Sequence, residues 1–180
     1  MSKEASKIIP HEVVRLDVAV HENYDDFRRR FESAVPAWNA DRGRKLIEGR
    51  TPWPEMIANV AASAPNEFLL YWSLDLSPLM SLAGNTRRAT EYLMGNHIIA
   101  EAMYRHDPAV GLYVPLRCLI YESEEGTRFA IDQPSTALAS LGRSDIAQVG
   151  HDLDRKLAKL FKVLGIETPA ALPEGREASA

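Results

Sequence analysis

At 180 residues, 46% apolar and 26% charged, with a formal net charge of −4, the chain has the make-up of one globular domain and lacks the basic excess of a nucleic-acid binder. No apolar run approaches the ~20 residues needed to cross a bilayer, so neither nucleic acid nor membrane is expected as a partner. Cys118 is the only cysteine, which excludes an intrachain disulfide, and MSKEASKIIP has no apolar core of signal-peptide length; the expected setting is the cytoplasm.

In chain order, residues 1–10 are polar and expected to be mobile. Alternation in EVVRLDVAV, from Glu12 to Val20, predicts a first strand with Val14, Leu16, Val18 and Val20 on one side. Asn23 is placed to cap a helix that ends before Pro36, with Tyr24, Phe27 and Phe31 on its apolar face. Arg28, Arg29 and Arg30 are the densest basic cluster, but successive helix residues point in different directions and make no single stripe. Residues 37–51 read as a loop or irregular short helix, and Pro54 opens another helix carrying Met56, Ile57 and Val60.

FLLYWSLDL, Phe68 to Leu76, predicts a second strand apolar enough to be central in its sheet. A short helix starts at Ser77-Pro78 and leaves through Gly84-Asn85. Arg88 to Met94 reads as a strand, Gly95-Asn96 as a turn, and Ile98 to His106 as a helix capped by Asn96 that buries Ile98, Ile99, Ala102 and Met103. After Asp107-Pro108, Val110 to Glu122 is expected to be extended, with Pro115 at a bulge or edge. Glu124-Glu125-Gly126 predicts a hairpin with two possible registers. A three-residue loop sets Glu122 against Arg128 and places Leu119, Tyr121, Phe129 and Ile131 on one face; a four-residue loop sets Arg117 against Asp132. The last helix holds Ile146, Val149, Leu153, Leu157, Leu160, Phe161 and Leu164 on one face, with Asp145 and Gln148 at capping-box spacing and Gly165 as terminator. The tail, 167–180, is rich in Ala, Pro and Glu and expected to be disordered.

GNHIIAEAMYRHDPAVGLYVPLRCLIYE, followed by a glycine hairpin and IDQPS, resembles the domain of unknown function family 302. The resemblance is carried by Gly95, Asn96, Asp107, Pro108, Leu112, Pro115, Arg117, Tyr121, Glu122 and Pro134, and by the closing helix. It spans about Glu12 to Gly165 and is weak between Ala37 and Glu67, where an insertion at about 37–66 is expected. His97 stands where the family has proline, and Leu116 where it commonly has cysteine. The resemblance implies a single α+β domain over 11–166, an antiparallel or mixed sheet of about five strands with helices mainly on one face, and homodimers. It implies no activity, so function has to be argued from side chains.

His97 and Glu101 stand four apart on a helix, but two ligands are too few for a metal site and no His-Glu-x-x-His or paired-cysteine motif accompanies them. Met94, His97, Met103, Tyr104 and His106 are residue types that ligate haem, without a covalent attachment motif. No cofactor or metal is expected. Cys118 reads as a buried small hydrophobe. What is left is a polar corner in which Asn96, His97, Arg117 and Asp132 bind a ligand, with backbone amides at the helix start and a guanidinium for an acidic group. The favoured reading is a non-catalytic, homodimeric, small-ligand-binding domain. The alternatives are an enzyme using His97 or Asp132 for proton transfer on a small acidic or carbonyl compound, and an interaction module using an exposed sheet face.

Overall fold

The computed structural model describes residues 6–173. The mobility expected at 1–5 and the disorder expected at 174–180 lie outside the described residues. The five strands are β1 (Arg15–Val20), β2 (Leu69–Asp75), β3 (Ala89–Gly95), β4 (Leu116–Ser123) and β5 (Gly126–Asp132). They form one antiparallel sheet in the order β1-β5-β4-β3-β2. The helices are α1 (Tyr24–Ala34), α2 (Ala40–Glu48), α3 (Trp53–Ser63), α4 (Ser77–Ser81), α5 (His97–Tyr104), α6 (Pro134–Ala139) and α7 (Ser144–Val163). The chain is a single α+β domain whose helices cover mainly one face of the sheet.

Alternation decides which side chains meet those helices. Leu16, Val18 and Val20 of β1, Tyr92 and Met94 of β3, Cys118 and Ile120 of β4, and Phe129 and Ile131 of β5 all face inward and are buried. Phe129 lies at the centre, with its ring centroid 5.5 Å from Phe31 and 6.1 Å from Phe27 of α1, and 5.6 Å from Phe161 of α7. These edge and tilted contacts join both long helices to the middle of the sheet.

The β4–β5 hairpin pairs Glu122 with Thr127 and Cys118 with Ile131, the register that brings Arg117 level with Asp132. The three-residue-loop alternative is thereby overturned. A one-residue slip moves every side chain to the other face, so Leu119 and Tyr121 turn outward while Phe129 and Ile131 turn inward. β2 is an edge strand, not a central one. Its apolar residues are divided, with Leu69 and Leu70 buried and Trp72 and Leu74 exposed. Residues 36–38 shield part of that edge, Leu70 N–H donating to Pro36 O and Trp38 N–H to Leu70 O.

Four further expectations change. Residues 37–51 contain a regular helix, α2, capped by Asn39. The extended segment begins only at Leu116, because Pro108–Leu112 winds into a 3₁₀ turn capped by Asp107. Asp145 forms no capping box, because α7 starts at Ser144 and places Asp145 inside the first turn, where Arg143 and His106 hold its carboxylate. The chain beyond 166 packs as far as Leu172, which is buried in the core, so the expected tail does not start at 167.

Pro134 opens α6, a helix the sequence reading lacks, and Asp154 holds it from α7. The buried Asp154 carboxylate accepts from Ser135 N–H at 3.0 Å, Ser135 Oγ–H at 2.6 Å and Gln133 Nε2–H at 2.7 Å. Close approach of the two helices depends on Gly150, where an added Cβ would lie 3.0 Å from Ser135 Cα. Replacing Asp154 with alanine leaves the Ser135 N–H and Oγ–H without their acceptor and Gln133 Nε2 with only Ala171 O. Asp154→Ala is expected to lower unfolding free energy by about 3 kcal/mol, measured by urea denaturation.

Candidate functional site

The site grows from the corner where β3 turns into α5. Asn96 is the N-cap, its Oδ1 accepting from Ile98 N–H at 2.9 Å and Ile99 N–H at 3.4 Å. Its Nδ2 donates to Glu67 O at 2.9 Å. Glu67 is one of two non-glycine residues with positive φ among the described residues, at 71°, so Asn96 secures the strained residue that leads into β2. One side chain thus joins the β3–α5 turn to the entry of the neighbouring strand.

Tyr71 falls at a register shift in β2 between Leu70 and Trp72. Its ring lies over Gly95, where an added Cβ would stand 3.3 Å from Tyr71 Cε2. The phenol oxygen is 2.7 Å from His97 Nδ1 on the first turn of α5. Trp38 lies on the same imidazole, centroids 4.7 Å apart, and is backed by α2 at Gly43, where a Cβ would come within 2.5 Å of the indole. His97 is therefore enclosed by two aromatic rings from distant parts of the chain. Burial holds its pKa below the usual histidine value, and burial pushes the Tyr71 phenol well above its own. Both groups are neutral at neutral pH.

Beside this pair is a cavity of about 250 Å³. Tyr71, Gly95, Asn96 and His97 form one wall, Ile99, Ala100 and Met103 of α5 another, and Val114, Pro115 and Leu116 the entry into β4. Leu153 of α7 closes it. The lining contains no Asp, Glu, Lys or Arg.

Of the four site residues expected from sequence, Asn96 and His97 line this cavity, whereas Arg117 and Asp132 lie on the outward face of the sheet. Arg117 has a side chain 77% exposed and pairs with Glu91 at 3.1 Å; Asp132 pairs with Arg15 at 3.2 Å. Both border a shallow trough with Asp17, Leu119 and Tyr121. The helix-start amides that the sequence reading leaves open to an anion are in part occupied by Asn96 itself. Glu101, four residues from His97, is engaged by Arg105, and among the described residues no group of three or more metal-ligating side chains is gathered. Met103 lines the cavity with His97, whereas Met94 is buried in the core, Tyr104 is exposed and His106 contacts Asp145. Burial pushes the Cys118 thiol well above its usual range, as expected of a packed residue.

Tyr71, Trp38 and Leu153 are absent from the expected set. Tyr71 reads as an ordinary strand residue, Trp38 sits in a stretch without clear periodicity, and Leu153 is one of several apolar positions on α7. Only the fold brings them to His97 and Met103.

The fold and cavity define a single-domain α+β protein with a five-stranded antiparallel sheet and an apolar chamber under its β3–α5 corner. A family model described as domain of unknown function DUF302 matches residues 50–164, more than half of the chain. The chain belongs to the DUF302 family. Its fold is similar to a crystal structure of an uncharacterized conserved DUF302 protein from Bacillus stearothermophilus, with TM-score 0.58, 12% identity, and coverage of 84% of this chain and 97% of that one. A search of curated proteins finds no match. Among the described residues, no helix is long and apolar enough to cross a membrane.

Since the folded state lowers the pKa of His97, the unfolded chain binds the extra proton first. The resulting stability is full above the unfolded value near 6.5 and is lost as pH falls through that value toward the folded one. Thermal melts at pH 7.5 and 5.0 are expected to show a larger drop for the native chain than for His97→Phe, whose ring does not titrate.

Proposed function

We propose that this protein is a non-catalytic binding domain for a small, largely apolar molecule, held in the cavity formed by Tyr71, His97, α5 and the entry into β4. The observation that carries the reading is the cavity itself, about 250 Å³ beside a half-buried Tyr71–His97 pair in an otherwise apolar wall. Concave, largely apolar sites with a few placed polar groups are the usual form of a ligand site. The enzyme reading is less well supported. His97 and Tyr71 are the titratable side chains of the lining, both held in their neutral forms, and Arg117 and Asp132 lie on the other face of the sheet. The single buried cysteine agrees with a reducing compartment such as the cytoplasm.

The cavity reading predicts that indole, titrated into labelled protein, shifts amide resonances at 96–103, 114 and 116. Ala100→Phe, which fills the cavity, is expected to abolish these shifts with the rest of the amide spectrum preserved. Arg117→Ala is expected to leave them unchanged.

A second property concerns the outward face of the sheet. It interleaves Arg15, Arg117 and Arg128 with Asp17, Glu91 and Asp132, beside the exposed Trp72 and Leu74. A face that carries both signs of charge and exposed apolar residues has the groups a twofold self-contact needs, and we propose a second copy of this chain as its partner. Sedimentation is expected to give a dimer for the native chain and a monomer for Leu74→Glu. A native monomer would remove the proposal.

A further inference from the structure

The chemistry of the cavity wall narrows its ligand beyond size. A cavity of about 150 Å³ lined by apolar side chains accommodates benzene; one of about 250 Å³ has room for roughly ten to fifteen non-hydrogen atoms. An ionised ligand would leave water for a wall of Ile99, Ala100, Met103, Leu116 and Leu153 with no opposite charge to meet it, at a cost of several kcal/mol.

The polar groups are then few. Asn96 has its oxygen taken by the amides of α5 and one of its two Nδ2 hydrogens by Glu67 O. His97 differs. Its Nδ1 is 2.7 Å from the Tyr71 oxygen, and of the two neutral groups the phenol is the more acidic, so O–H donates and Nδ1 accepts. This arrangement puts the ring proton on Nε2. Among the described residues Nε2 has no hydrogen-bond partner. Among the described residues no fully buried side-chain nitrogen or oxygen lacks a partner, so Nε2 retains accessible surface in a residue that lines the cavity.

We infer that the cavity takes neutral, mostly apolar molecules bearing one carbonyl-type acceptor, to which His97 Nε2–H donates while Tyr71 fixes the tautomer. This rests on the reading of the cavity as a ligand site. It assigns His97 as the residue that discriminates among ligands and Tyr71 as its positioning residue.

Three probes of similar size separate the possibilities: acetophenone (neutral, with an acceptor), isopropylbenzene (no acceptor) and benzoate (anionic). Amide-shift titrations of the full chain are expected to give acetophenone about tenfold tighter binding than isopropylbenzene, the ratio typical of one buried neutral hydrogen bond, and none for benzoate. His97→Phe keeps the ring volume and is expected to bring acetophenone and isopropylbenzene to equal affinity. A readout on the native chain guards against a folding defect in that variant. Long-range imidazole ¹H–¹⁵N spectra should show the proton on Nε2, and this nitrogen should shift with acetophenone and not with isopropylbenzene. Equal native affinities for the two neutral probes, tightest binding of benzoate, or a proton on Nδ1 overturns the inference and leaves the cavity reading standing. Failure of all three probes to bind overturns both.

Discussion

The carboxamide of Asn96 is the constraint on which the site depends. A helix start leaves backbone donors without partners, and a strand entry with positive φ is costly unless something holds it. Asn96 answers both demands, its oxygen accepting from the first turn of α5 and its nitrogen donating to Glu67 O. Because β2 follows directly from Glu67, that link sets where Tyr71 stands relative to His97, on the first turn of the same α5. The Tyr71–His97 contact and the chamber beside it are consequences of this corner. The packing of α7, which closes the chamber with Leu153, is set separately by the core and by Asp154.

The molecule keeps its charge and its cavity apart. Every ion pair of the outward face joins groups with substantial exposure, where water and salt screen the attraction to a fraction of a kcal/mol. Those pairs contribute little to folding, and their alternation of sign matters for which surfaces can approach. The cavity has no charged residue in its wall and orients a neutral imidazole by a single neutral hydrogen bond. In that less polar setting one donor discriminates more than it would in water, because an acceptor placed there has few alternative partners.

Local signals in the chain mark the elements well and the site less well. Asn23 and Asn96 read as caps because the motif needs only a side-chain oxygen and a following turn, and both form. The apolar face of α7 is readable for the same reason, its period being a property of one helix. Registers and edges are not local. Whether Leu119 or Phe129 turns inward depends on one residue of hairpin slip, and whether FLLYWSLDL is central depends on which strands arrive beside it. Asp145 illustrates the limit at a cap: the spacing to Gln148 suits a capping box, but α7 starts one residue earlier, at Ser144, and puts Asp145 inside the helix, where Arg143 and His106 hold it. Arg117 and His97 lie close to one corner in the chain's order, and sheet alternation sends Arg117 to the outward face.

The chamber stays open for reasons visible in its walls. A void in a soft core closes when side chains change rotamer, gaining dispersion contacts as they do so. Here Gly95 and Pro115 are in mutual contact, a Cβ on Gly95 standing 3.5 Å from Pro115 Cα, so that side is backbone and ring rather than flexible chain. Tyr71 is tied at its hydroxyl, and His97 is held between that hydroxyl and Trp38. On the helix side Met103 is fully buried in the main core and Leu153 nearly so, both engaged in the packing of α5 against α7. Closing the space would require breaking the Tyr71–His97 bond, uncovering Trp38 or pulling Leu153 out of the core.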